Sequence, residues 1–104
     1  MLNTIKRLLG IGPKIDYSEL LKQGAVILDV RSKGEYQGCH IKGSVNIPVD
    51  VLRNNLSKLN KEKPIITCCA SGMRSASAKS ILKSNGFSEV HNGGGWMNLQ
   101  FKIK

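Results

Sequence analysis

The sequence predicts an α/β fold, a mostly parallel sheet of about five strands with helices on both faces. Two observations carry this. The runs Ala25-Val26-Ile27-Leu28-Asp29-Val30 and Ile65-Ile66-Thr67-Cys68 are nearly continuous and apolar, as expected of central parallel strands covered on both faces rather than half-exposed ones. Each is followed by a short turn and then by helical spacing, so strands and helices alternate along the chain. At 104 residues there is length for one domain with a single modest core. We divide the chain into a short helical extension over residues 1–12 and one domain over residues 13–104, with no internal repeat or second domain.

In the extension, Leu2, Ile5, Leu8 and Leu9 recur at helical spacing, with Lys6 and Arg7 between them. A secretory signal would need a longer apolar core and a small-residue cleavage site, so a short helix resting on the domain is expected. Gly10, Gly12 and Pro13 then mark a turn. Lys14-Ile15 reads as a very short first strand, followed by a helix capped by Asp16 or Ser18 and running through Gln23, with Gly24 closing it. The strand Ala25–Val30 ends in Asp29 and Arg31, which read as an ion pair bracing loops. Ser32 and Glu35 have capping-box spacing, so Ser32 to Gly38 should form a short helix. Cys39 reads as a small packed residue, or as a second reactive thiol should it be exposed, and His40 reads as a structural loop residue. Ser44-Val45-Asn46-Ile47 is another short strand, ended by Pro48. A helix follows with Asp50 near its start and Val51, Leu52, Leu56 and Leu59 turned to the core. The basic stretch from Lys58 to Lys63 reads as a loop.

The stretch from Pro64 to Asn85 reads as strand, tight loop and helix, with Cys69 where the strand ends. Ligands of open α/β sheets bind outside the carboxyl ends of the strands. The turn through Ala70, Ser71, Gly72 and Met73 into Arg74 leaves backbone N–H groups without ladder partners, free to form a concave anion site. Gly72 tolerates the positive φ that so tight a curl needs. The helix start adds its unpartnered amides, and Arg74 adds a charge and a fork of donors. All of these favour a thiolate at Cys69. Cys68 should point to the opposite face and be a buried structural thiol. The helix shows Met73, Ala76, Ser77, Ser80, Ile81 and Ser84 on one face, with Gly86 ending it and Phe87 packing back. Glu89-Val90-His91 reads as the last strand. Asn92-Gly93-Gly94-Gly95 lets the backbone pass closely, and Trp96, Leu99 and Phe101 give a final helix an apolar side. Trp96 reads as a core plug, or else as a residue at the pocket rim.

The run Cys69-Ala70-Ser71-Gly72-Met73-Arg74-Ser75 reads C-x-x-G-x-R-S and resembles the active loop of the rhodanese family of sulfurtransferases. Leu28-Asp29-Val30-Arg31, Glu35-Tyr36 followed by His40-Ile41-x-Gly43, Asn46-Ile47-Pro48 and Gly94-Gly95 agree with it in order and spacing. The resemblance covers most of Ile15 to Leu99. It departs at Cys39, where the family usually has glycine, and at Leu99, where it often has tryptophan. It implies a rhodanese-like fold and a cysteine, matched here by Cys69, that takes sulfur from a donor such as thiosulfate and holds it as a persulfide. A thiol or cyanide then accepts that sulfur. The loop residues Ala70, Ser71, Gly72, Met73 and Arg74 are the expected substrate-binding set. Cysteine-dependent phosphatases place one more residue between Cys and Arg. Counted from Cys69 the spacing to Arg74 is one short, and counted from Cys68 it fits but puts Ser71 at the glycine position and Thr67 at that of the histidine, so neither register fits and the cradle suits a smaller group than phosphate.

Sixteen Lys and Arg stand against seven Asp and Glu, a formal charge of +9. Such a field speeds the arrival of a small anionic sulfur donor. No basic stripe with interleaved aromatics marks a specific nucleic-acid partner. No run of eighteen apolar residues marks a membrane span. Three cysteines, two of them adjacent, make a poor disulfide framework, and a reducing, cytoplasmic setting is expected. His and Cys have no metal-site spacing, so neither a metal nor another cofactor is expected. The other reading of the same domain is a dedicated persulfide carrier or protein-interaction module that delivers sulfur without multiple turnover.

Overall fold

The computed structural model describes residues 15–103. Helix α1 (Tyr17–Lys22) is followed by β1 (Val26–Asp29), α2 (Lys33–Gly38), β2 (Val45–Asn46), a 3₁₀ segment (Val49–Lys58), β3 (Ile65–Cys69), α3 (Met73–Ser84), β4 (Val90–Gly95) and α4 (Trp96–Lys102). The strands form one parallel sheet in the order β2-β1-β3-β4. Among the described residues the sheet therefore has four strands, against an expectation of about five. Ile15 joins no strand and is 44% exposed, because Asp16 directly after it already caps α1 through the Glu19 amide. Lys14 and the helix expected near the start of the chain lie outside the described residues.

Helices cover both faces, so β1 and β3 are buried on each side and their near-continuous apolar runs are accounted for. On one face Leu28, Val30, Ile65 and Cys69 pack with Leu52 of the 3₁₀ segment, Ala78 and Leu82 of α3, and Phe87. On the other, Ile27, Ile66 and Cys68 pack with Ile41 and with Leu99 of α4, and Tyr17, Leu20 and Leu21 of α1 cover them. The neighbouring cysteines thus belong to opposite cores, as alternation along a strand requires.

Local signals hold where they are chemical. Ser32 and Glu35 form a full capping box, an interaction worth about 1 kcal/mol at a helix start. Gly86, at φ +89, ends α3 in the left-handed conformation. There the Phe87 N–H donates to the Leu82 carbonyl and the Gly86 N–H to that of Lys83, a Schellman motif that folds Phe87 back onto the helix.

Four expectations based on periodicity need correction. The segment after Pro48 is 3₁₀ rather than α, and non-helical backbone at Asn55 breaks it. With three residues per turn, Val49 and Leu52 share the inner face, while Val51 is exposed. In α3 the buried residues are Ser75, Ala78 and Leu82, whereas Met73, Ala76, Ser77, Ser80 and Ser84 face outward. A helix made mostly of Ser, Ala and Lys has too little contrast for its phase to be read. The last strand runs on through the glycines to Gly95, since contact with β3 there requires that side chains be absent. Phe101 is 78% exposed and Leu99 alone in α4 is fully buried, because a seven-residue helix presents too little face for a second core position.

Candidate active site

Strand β3 is buried throughout and delivers Cys69, 1% exposed, to the start of the loop. The chain turns there because Gly72 takes φ +109, a conformation costly for residues with a Cβ. That turn aims the Gly72 N–H at Cys69 Sγ, 2.9 Å away, and the first turn of α3 adds the Ser75 N–H at 3.4 Å. Ser75 Oγ lies 3.5 Å from the same sulfur. Burial by itself pushes the Cys69 thiol up, but the Ser75 hydroxyl and the amides of Ser75, Gly72 and Ser71 outweigh it, and the net shift is downward from 9.0. Donors that bond the anion better than the neutral thiol account for the direction.

The neighbouring strand makes room for this arrangement. A Cβ on Gly95 would stand 3.0 Å from the Ala70 carbonyl oxygen, and one on Gly93 2.9 Å from that of Thr67. Glycine at both positions lets β4 lie against the loop. Thr67 Oγ1 donates to the Ser75 carbonyl at 2.9 Å, tying the first turn of α3 to β3. Asn92 of β4 joins the loop from the other side: its Oδ1 accepts from Ser75 Oγ at 2.6 Å and from the Gly94 N–H at 2.9 Å, and its Nδ2 donates to the Gly72 carbonyl at 3.4 Å.

Of the residues singled out in the sequence, Gly72 contacts the sulfur directly and the Ser71 amide contributes to its acidity. Ala70 and Ser71 have exposed side chains, and Met73, 80% exposed, stands at the rim. The Arg74 guanidinium forks onto Glu35 instead of the sulfur, with Nη1–Oε1 at 2.7 Å and Nη2–Oε2 at 3.0 Å. Arg74, then the Ser32 amide, hold the Glu35 carboxyl down at about 2. Sequence reasoning missed two residues of the site, Ser75 at the sulfur and Asn92 behind it. Ser75 carried a signal, since it closes the C-x-x-G-x-R-S run. Asn92 carried none, because only the pairing of β4 with β3 brings it to the loop.

Asp29 and Arg31 form the brace expected of them. Arg31 Nε lies 3.0 Å from Asp29 Oδ1 and its Nη2 2.7 Å from Oδ2, and both residues are buried. Nη2 also donates to the Cys39 carbonyl at 2.7 Å, and the guanidinium sits 4.8 Å from the centre of the Trp96 ring. Trp96 is half-buried against the second core, beneath that cation. Burial first, then Asp29, push the Cys68 thiol up to about 12, leaving it un-ionised at neutral pH. His40 is held by the Tyr36 carbonyl, 2.7 Å from its Nδ1, and stacks on the Tyr36 ring. Cys39, expected to be packed, is exposed, since it ends a helix with no buried residues and so has no core to enter. Among the described residues no group of three or more His, Cys, Asp or Glu side chains is placed to hold a metal ion, and no helix is long and apolar enough to cross a membrane.

Comparison with known proteins agrees with this geometry. The family model described as Rhodanese-like domain matches residues 15–100. Thiosulfate sulfurtransferase GlpE of Pseudomonas savastanoi pv. phaseolicola is 35% identical over 80 residues, covering 77% of this chain and 76% of that one. The proposed sulfur carrier protein YrkF of Bacillus subtilis is 39% identical over 79 residues, covering 76% of this chain and 40% of that one. Among solved structures, the human single-domain sulfurtransferase TSTD1 superposes with a TM-score of 0.74 at 27% identity, over 85% of this chain and 92% of that one. The chain spans less than two thirds of several curated relatives, YrkF among them. With the matched region running from Ile15 to Gln100 and taking in both the cysteine loop and the glycine strand, this chain belongs to the rhodanese-like domain family.

Proposed function

We propose that the protein is a sulfurtransferase that carries sulfane sulfur as a persulfide on Cys69. The observation that supports this most directly is the buried sulfur at a strand end with the Gly72 amide 2.9 Å away and Ser75 donating beside it. In the first step the Cys69 thiolate attacks the outer sulfur of an anionic donor such as thiosulfate. A bond forms from Sγ to that sulfur, the bond to the sulfite sulfur breaks, and sulfite leaves with the electron pair. The loop amides from Ala70 to Arg74 take up the charge on the outer sulfur. Arg74 binds the donor anion once its fork turns from Glu35, and Met73 stands where the donor or acceptor enters. In the second step a small-molecule or protein thiol, or cyanide in the test tube, takes the outer sulfur by thiol–disulfide logic. The chemistry calls on no cofactor. Three free thiols favour a reducing compartment, and the cytoplasm is the setting this reading gives it.

Mass spectrometry after exposure to thiosulfate tests the reading. The peptide containing Cys69 should gain the mass of one sulfur atom, and Cys69→Ser should remove both that gain and turnover while keeping the fold. A gain on Cys68 or Cys39 instead would overturn the assignment. The likeness to YrkF favours one further reading, a dedicated carrier. Sulfite release separates the two, because a carrier releases one equivalent and stops whereas an enzyme continues as acceptor is supplied.

A further inference from the structure

Ser75 is completely buried and its hydroxyl has a single proton, yet three acceptors surround it. Asn92 Oδ1 lies at 2.6 Å, the Gly72 carbonyl at 3.0 Å and Cys69 Sγ at 3.5 Å. The orientation of the Asn92 amide follows from its other partners, since the Gly94 N–H points at the atom facing Ser75 and the Gly72 carbonyl receives the other. The atom facing Ser75 is therefore the carbonyl oxygen, an acceptor only. At 2.6 Å Ser75 must donate to it, which turns a lone pair of Oγ, not the proton, toward the sulfur. That arrangement suits a thiol that donates, or an Sγ that already carries sulfur. It does not suit a thiolate, which needs the proton.

We propose that Asn92 is a positioning residue that acts on Cys69 through Ser75: its amide oxygen holds the Ser75 proton while Sγ is neutral and releases it to Sγ when Sγ becomes anionic. This rests on Cys69 being the sulfur-carrying nucleophile. The second transfer shows where the device acts. An acceptor thiolate attacks the outer sulfur, a new S–S bond forms, and the bond from that sulfur to Sγ breaks, returning its electron pair to Sγ as a thiolate. As the charge appears, the hydroxyl swings from a neutral partner to an anion, and hydrogen bonds to charged groups are about twice as strong as neutral ones. Asn92 thus steadies the neutral thiol and the persulfide, and the Ser75 proton is what the thiolate gains when it forms. Arg74 from the head of α3 and Cys68 from the same strand are the titratable groups that act on Cys69. Asn92 is the polar side chain that β4 turns to the Ser75 hydroxyl.

The test is the pH dependence of Cys69 alkylation by iodoacetamide in the full chain, with Cys39 replaced by Ser to silence the exposed thiol. In Asn92→Leu the proton loses its 2.6 Å acceptor and is left with the Gly72 carbonyl at 3.0 Å, so it turns to the sulfur more readily; the midpoint should fall and the thiolate-to-thiol ratio at fixed pH should rise about threefold to tenfold. Asn92→Asp keeps the acceptor and adds a negative charge, so its midpoint should rise. Ser75→Ala removes the proton altogether, which should raise the midpoint and leave Asn92→Leu with no further effect in that background. An unchanged or raised midpoint in Asn92→Leu, or an effect that survives Ser75→Ala, overturns the proposal. Should thermal melting show that Asn92→Leu does not fold, Asn92→Ala carries the same comparison. The titration reads the thiol itself, so absence of a persulfide on Cys69 would refute sulfur transfer without touching this result.

Discussion

Glu35 does two jobs with one carboxylate. Its oxygens accept from the Ser32 amide and hydroxyl to cap α2, and from both outer nitrogens of Arg74. On the proposed function a donor anion would therefore compete with Glu35 for the arginine. Glu35→Gln separates the two jobs, because Gln also completes a capping box but cannot match the charge. The expected result is a few-fold lower KM for anionic donors with kcat unchanged, measured by steady-state sulfite release; a raised KM would mean that the pair orders Arg74 for binding. The pH behaviour follows in sign. The folded-state pKa is depressed from 4.5 to about 2, so the bridge stabilises in full above 4.5 and is lost as pH falls through 2. Both side chains are 38% exposed, so salt should weaken the bridge as well.

At the scale of elements, the loop keeps its shape because β4 can lie against it. Gly95→Ala tests this. Its Cβ would meet the Ala70 carbonyl at 3.0 Å, a backbone atom that cannot move without shifting the loop. We expect a loss of about 1–3 kcal/mol, typical of overpacking, together with an upward move of the Cys69 alkylation midpoint as the Gly72 and Ser75 donors drift from the sulfur. Thermal unfolding and the alkylation curve read the two effects separately. A stability loss with an unmoved midpoint would show that the loop holds its form without β4. The elements also show what kind of signal is legible in a chain. The capping box at Ser32, the Schellman close at Gly86 and the turn at Gly72 are local chemistry, and each was placed correctly from the residues. The phase of α3 and the nature of the segment after Pro48 were not, because side-chain contrast there is weak and packing decides.

For the molecule as a whole, the buried Asp29–Arg31 pair links the sheet edge to its surroundings. Arg31 reaches the carboxylate, the Cys39 carbonyl and the Trp96 ring from one guanidinium, and Asn46 of β2 donates to the carbonyls of both Asp29 and Arg31 at 3.0 Å. Asp29→Ala would leave the guanidinium buried without its counter-charge, a change that costs about 3–5 kcal/mol. Chemical denaturation should show that loss, while the alkylation midpoint of Cys69 on the opposite face stays in place; a loss below about 1 kcal/mol would mean that water or Glu35 replaces the carboxylate.

The residues alone determined the parallel α/β class and the turn at Gly72, and they singled out Cys69, the sulfur we propose to react. These depend on doubly apolar runs, on glycine's freedom at positive φ and on one motif whose parts lie within seven residues. Tertiary structure decided the rest. It chose four strands among the described residues, gave the Arg74 fork to Glu35 and set Asn92 against Ser75. Each of these depends on which distant segments come to lie side by side, a matter settled by sheet pairing and burial that no local pattern records.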